Sequence, residues 1–242
     1  MLKSSDSNIT SIPIHECEEP FIDLRNQTVI RFGSPPECEQ TAPYYTKMRQ
    51  TVYKKLCQAQ EMLPDGWFIR LYEGFRSLEV QQALFSQEYE RVKQKYPLFS
   101  HKDIFLEVTR LVSPVKNLDD SINIPPHNTG GAVDIELVDA SDNLIDMGMA
   151  IANWGSVHPD ICLSKCSIIS ETSKNNRKLL MDIMEKLDFV NYPYEWWHFS
   201  YGDRAWAYYK GKAHAIYGSV TDKQLFSALS FSEEDNYLPI YP

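Results

Sequence analysis

The tetrapeptide Glu195-Trp196-Trp197-His198 puts a carboxylate and an imidazole at the two ends of a pair of indoles. Glu and His are the side chains that move protons or bind metal near neutral pH. Two readings of the pair stand side by side. One is a buried aromatic strand with a polar residue at each end. The other is a site whose Glu and His must be held rigidly. The pair alone does not decide, so its partners matter.

Residues 125–137, PPHNTGGAVDIEL, supply them: His127 and Asp134, with Gly130 and Gly131 between. Fully extended, the chain between them spans about 23 Å and puts the two side chains on opposite faces. Two ligands of one zinc ion must instead lie within about 2.0–2.2 Å of it. The chain must fold back, and Asn128-Thr129-Gly130-Gly131 has the residue types to do so. The spacing suits a loop carrying His127 and a strand carrying Asp134. With His198 the set becomes two imidazoles and one carboxylate, the ligand count of a catalytic zinc with a fourth position open to water. Glu195 is then placed to act as general base on that water. Singly, each residue reads more readily as a turn or strand-end group without metal; the matched set favours the metal. Arg76, at a strand-to-helix junction, presents a planar fork of donors that could hold the oxygen of a tetrahedral intermediate. Its plainer reading is a surface arginine paired with Glu73 or Glu79.

The elements that must position these residues follow from periodicity. Apolar spacing predicts helices over 44–63, 77–96, 101–112 and 171–188, the second capped by Ser77. Short β-rich runs predict strands over 67–75, 130–139 and about 196–201, with a turn and strand at 142–148. Residues 1 to about 40 are polar and proline-containing, an irregular arm with one strand near 29–32. Helices and strands do not alternate regularly, which indicates an α+β fold rather than a doubly wound sheet. The expected organisation is a polar arm over 1–20 and one catalytic domain over 21–242.

Bulk properties narrow the function. The 242 residues are 43% apolar, enough for one packed domain. A net charge of −9 without a Lys/Arg cluster argues against nucleic acid and anionic membrane as partners. No apolar run reaches the roughly 18–20 residues of a membrane span, and the first residues lack a signal-peptide pattern. The reading is therefore cytoplasmic. Five cysteines, Cys17, Cys38, Cys57, Cys162 and Cys166, are too few and odd in number for a disulfide framework. His158, Cys162 and Cys166 have a spacing that could clip a second metal on a helix; free buried thiols are the favoured alternative. The oligomeric state is open, a homo-oligomer included.

Three stretches together resemble the D-alanyl-D-alanine dipeptidases, the VanX-type group of peptidases related to D-Ala-D-Ala carboxypeptidases. EGFRSLEVQQALF resembles that family's Gly-Tyr-Arg-Pro stretch, HNTGGAVDIEL its His-x-x-Gly-x-Ala-Val/Ile-Asp stretch, and EWWHF carries the double Trp that marks the dipeptidases. The likeness runs from about residue 20 to 210 and is strong at the motifs. It implies an α+β fold with a small central antiparallel sheet flanked by helices, and a confined cavity for a small dipeptide. It implies one Zn2+ held by His127, Asp134 and His198. Glu195 would activate water and pass the proton to the leaving amine, and Arg76 would stabilise the oxyanion. One Trp would wall the substrate pocket and the other would pack into the core, alternating across a strand. Three positions depart from the pattern: Ser77 follows the Arg in place of Pro, Pro125 replaces a Ser, and Ala152 replaces an Asp that contacts the substrate amine. Asp160 or Asp146 is the expected substitute. A different dipeptide or a longer peptide then enters as a substrate. The alternatives are a carboxypeptidase or stem-peptide peptidase, and a metal-binding member without catalysis.

Overall fold

The computed structural model describes residues 2–3, 5–36 and 39–230. Cys38 lies outside the described residues. The arm is less irregular than expected. Ser7–Thr10 (α1) is one helical turn started by Asp6, whose side chain accepts from Asn8 N. Phe21–Asp23 (β1), Arg31–Phe32 (β2) and Lys47–Arg49 (β3) follow, and then Gln50–Glu61 (α2).

The helix expected from residue 44 therefore starts at Gln50. The backbone before it is claimed by other partners. β3 pairs antiparallel with β1, Arg49 N donates to the Gly130 carbonyl at 3.0 Å, and Phe75 N to the Lys47 carbonyl at 2.7 Å. The buried Arg49 guanidinium also bonds the Thr129 and Glu19 carbonyls. These tertiary bonds override the helical period of the sequence.

Phe68–Glu73 (β4) leads to Leu78–Lys95 (α3), where the Ser77 side chain accepts from Val80 N as expected of a cap. His101–Val108 (α4) is shorter than 101–112. Ala132–Val138 (β5) is buried throughout. The strand expected within 142–148 is a turn with a single bridge, Val138 to Leu144, and Asp142 at φ 63° breaks the extended run. Pro159–Cys162 (α5), Glu171–Lys186 (α6), Val190–Asn191 (β6), His198–Ser200 (β7), Arg204–Tyr209 (α7) and Asp222–Ser230 (α8) complete the order.

The central sheet has strand order β2-β4-β5-β7-β6. It is antiparallel except for β2, which runs parallel to β4. Alternation along the strands gives the sheet two different faces. Ile69, Leu71, Val133, Ile135, Leu137 and Phe199 point to one face and pack with Val52 and Leu56 of α2 and Leu180, Ile183 and Met184 of α6. Each such side chain contributes about 1.5–3 kcal/mol on burial. The opposite face carries Asp134, Glu136, His198 and Ser200. The site is built there.

Candidate active site

Register across three strands makes a polar row. Asp134 of β5 stands opposite His198 of β7 and opposite Glu73 of β4. The β4–β5 pairing slips between Leu71 and Glu73, a bulge that brings Glu73 rather than Tyr72 opposite Asp134. Neighbouring strands thus deliver three titratable groups to one patch.

His127 reaches the patch by the expected fold-back. Pro126–Thr129 is a 3-10 turn closed by Gly130 at φ 72°. That conformation favours glycine, and a Cβ there would sit 2.3 Å from the Phe21 ring. Two bonds stitch this loop to the end of β4: Arg76 N donates to the His127 carbonyl at 3.3 Å, and Asn128 Nδ2 to the Arg76 carbonyl at 3.2 Å. His127 Nδ1 lies 2.7 Å from the Gly74 carbonyl, which fixes Nε2 as the nitrogen that faces the patch.

The donor atoms converge. His127 Nε2 is 3.1 Å from His198 Nδ1 and 3.4 Å from an Asp134 oxygen; His198 Nδ1 is 2.9 Å from the other. Among the described residues this is the set of three that could share one ion. Two donors about 2.05 Å from a tetrahedral ion lie about 3.3 Å apart, so the residues fit a zinc-sized cation. His198 Nε2 turns away to Ser200 Oγ at 3.3 Å. Burial pushes the His198 imidazole below its ordinary value, which favours the neutral ring a metal needs. Burial would raise the Asp134 carboxyl, but the two histidines outweigh it and hold it well below the carboxylate range.

Glu195 lies beside the three, Oε2 3.8 Å from His198 Nδ1, with the residue 7% exposed. Burial first, then the Asp134 charge, lifts its carboxyl well above the ordinary value, against the pull of Arg76. Arg76 lies at the same cleft. Its Nε and Nη2 grip the Glu73 carboxylate and Nη1 donates to Gln81 Oε1 at 2.9 Å. The predicted Glu73 partnership is real, but the pair is buried rather than on the surface.

Trp196 and Trp197 are not in a strand; they form the turn that precedes β7. They meet edge to face at 5.7 Å. Trp197 lines the cleft with Glu195 and His198, and Trp196 packs in the core beneath the buried Arg177 guanidinium, 5.3 Å from its ring. Both indoles belong to the core and Trp197 also lines the cleft, an arrangement produced by a turn instead of strand alternation. The turn is clamped by Asn191, whose Nδ2 faces the carbonyls of Glu195, Trp196 and His198 at 3.1, 3.4 and 2.9 Å. Trp196 N donates to the Cys162 carbonyl at 2.9 Å, and Arg177 holds the Ile161 and Leu163 carbonyls on either side.

The cleft holds about 900 Å3, including the part open to solvent. Its acids are Glu73, Asp134 and Glu195. Neither anticipated replacement for the acid at Ala152 reaches it. Asp160 pairs with Arg110, and Asp146 bonds Gly148 N and Ser173. His158, Cys162 and Cys166 do not form a metal clip: His158 is exposed and caps α5, while both thiols are buried and free. Sequence reasoning did not find Asn191, Ser200 or the wall residues Leu2 and Ile9. Asn191 left no signal, because a lone Asn beside an apolar residue has no spacing to betray it.

The Peptidase_M15 family, described as D-ala-D-ala dipeptidase, matches residues 49–216, and the chain belongs to it. It is a metallopeptidase hydrolase. A D-alanyl-D-alanine dipeptidase of Synechocystis sp. is 28% identical over 239 residues, covering 87% of this chain and 95% of that one. Two solved structures are also similar. VanYB in complex with D-Alanine-D-Alanine is 15% identical, with a TM-score of 0.43, over 84% of this chain and 93% of its own. The LdcB LD-carboxypeptidase is 15% identical, with a TM-score of 0.40, over 87% of this chain and 79% of its own. Among the described residues no helix is long and apolar enough to cross a membrane.

Proposed function

We propose that this chain hydrolyses the peptide bond of a small dipeptide, D-Ala-D-Ala foremost, with one Zn2+ held by His127, Asp134 and His198. The observation that carries the reading is the convergence of three buried donor atoms beside a buried carboxyl, at one end of a cleft. The family description and the name of the Synechocystis relative support the substrate. Residues 21–242 make up the catalytic domain, and the arm before it lies against the cleft. Four free thiols among the described residues suit the cytoplasm.

The bound ion supplies Lewis acidity and lowers the pKa of water. The remaining steps belong to the chain. Glu195 takes a proton from the attacking water on its carboxylate and returns it to the leaving amine. Its buried setting gives it the proton affinity for that exchange, and a cation alongside pulls the other way, toward the ionised base. Arg76, set in place by Glu73, stabilises the oxygen that gains charge. Trp197 excludes water from one wall.

The test is hydrolysis of D-Ala-D-Ala, L-Ala-D-Ala, L-Ala-L-Ala and N-acetyl-D-Ala-D-Ala by metal-loaded wild type and Glu195→Gln, with metal content measured for both. We expect wild type to cut free D-Ala-D-Ala, and the variant to keep its zinc while losing about 10²–10⁴-fold in rate. Cleavage of the acylated peptide alone points instead to a carboxypeptidase. Bound zinc with no peptide cut points to a member without catalysis.

A further inference from the structure

Leu2 and Lys3 bridge two residues of the cleft lining, Tyr209 and Thr109. On one bank Lys3 Nζ bonds Thr109 Oγ1 at 3.0 Å and the Leu106 carbonyl at the end of α4. On the other bank the Tyr209 hydroxyl meets Leu2 N at 3.3 Å and the Leu2 carbonyl at 3.4 Å. α1 then lies on α7, with Ile9 only 2% exposed. Arg204 Nε holds the Ile12 carbonyl at 2.8 Å, and a bridge from Ile14 to Ala215 fastens the far end. Leu2 and Ile9 are part of the lining of the cleft that holds the polar row.

The lining is divided by chemistry. Glu73, Arg76, His127, Asp134, Glu195 and His198 are its polar share, and Leu2, Ile9, Leu84, Leu111 and Val112 an apolar share without charge. A cleft bridged from bank to bank is not a groove along which a long peptide can extend. We infer that residues 2–3 and 5–12 form a strap that sets substrate length, admitting a free dipeptide and excluding an acylated or longer one. This rests on the peptidase reading above and adds to it the element that makes the selection. Besides the seat of Ile9 and the Arg204–Ile12 bond, the ties are a hydroxyl on one bank and an ammonium on the other, and none belongs to the polar row, so the strap can be loosened without touching that row.

Two full-length variants test this in the metal-loaded enzyme. Lys3→Ala/Tyr209→Phe removes both bank contacts, and Ile9→Asp puts a charge where the strap seats. For each, kcat/KM is measured on D-Ala-D-Ala and N-acetyl-D-Ala-D-Ala, with a thermal melt to show the fold is kept. The ratio of acylated to free substrate should rise at least tenfold, through a lower KM for the acylated peptide. A ratio within threefold of wild type in folded variants overturns the inference, as does a wild type that cuts both peptides equally well. Calorimetric binding of the same two peptides in a Glu195→Gln background reads the strap without turnover. If wild type cuts neither peptide the peptidase reading fails. A tenfold gain in affinity for the acylated peptide on loosening the strap still upholds the inference, and no gain removes it.

Discussion

Residues 158–166 and the row of His127, Asp134 and His198 hold donors of comparable chemistry, and they differ in what delivers them. In the first, His158, Cys162 and Cys166 sit close in sequence at helical spacing. The chain there makes only one short turn, Pro159–Cys162, with the His outside it and the thiols facing the core. In the second, the donors are as many as 71 residues apart, yet lie within 4.8 Å of one another. Antiparallel register and a loop stitched to Gly74 and Arg76 bring them together. Local spacing makes convergence cheap but does not secure it; a backbone ladder on each donor does.

The contrast can be broken at either region. The largest effect is expected at Asp134→Ala, which removes a donor and leaves two buried imidazoles. Bound metal, measured by elemental analysis after dialysis, should fall from one per chain to below a tenth, and hydrolysis to background. A variant that keeps its metal would mean the row is not the site. Next is Asn191→Ala, which frees the three carbonyls of the Glu195–His198 turn. We expect kcat to drop about 10–100-fold through misplacement of Glu195, with metal retained, and a stability loss of about 1–3 kcal/mol in urea. Metal loss in step with activity would show that Asn191 supports His198 alone.

Smaller effects belong to the cysteine segment. Cys162→Ala with Cys166→Ala should leave metal content unchanged and lower stability by about 1–2 kcal/mol from lost packing. A drop in metal would revive the second clip. The smallest effect is on pH dependence. Burial, helped by the Glu195 charge, pushes the Cys162 thiol up from 9.0 to about 12. The folded state holds that proton more tightly than the unfolded one. Its contribution is therefore intact below about pH 9 and lost as the pH climbs toward about 12. Alkylation at pH 8 should spare Cys162 until the protein is unfolded, read by peptide mass; rapid labelling of the native protein would show an open thiol.

The sequence reported the site better than its frame. The grouping of His127, Asp134, His198 and Glu195 into a candidate site was legible because metal and proton chemistry restrict residue type, and because the glycines between the first two let the chain fold back. The long helices and β4 and β5 were legible from their period. What escaped depends on contacts distant in sequence. The start of α2 moved because Arg49 is bound by Gly130, Thr129 and Glu19. The paired tryptophans read as strand because aromatic residues suit one, yet Asn191 and Cys162 hold them in a turn. The arm read as a polar appendage because Leu2 and Ile9 lie among polar residues, in a stretch too short to show a period.

The slip between Leu71 and Glu73 has one more consequence. It makes the row sensitive to the number of residues in β4 as well as to their kind. Removing Arg70 would close the slip with Glu73 still opposite Asp134, but would set Tyr72 opposite Ile135 and Leu71 opposite Glu136, an apolar side chain on the polar face. Conservative exchanges along the outward positions of that strand are tolerable by comparison. In a library of variants, this strand should accept many substitutions, and a deletion at Tyr72 should be tolerated better than one at Arg70.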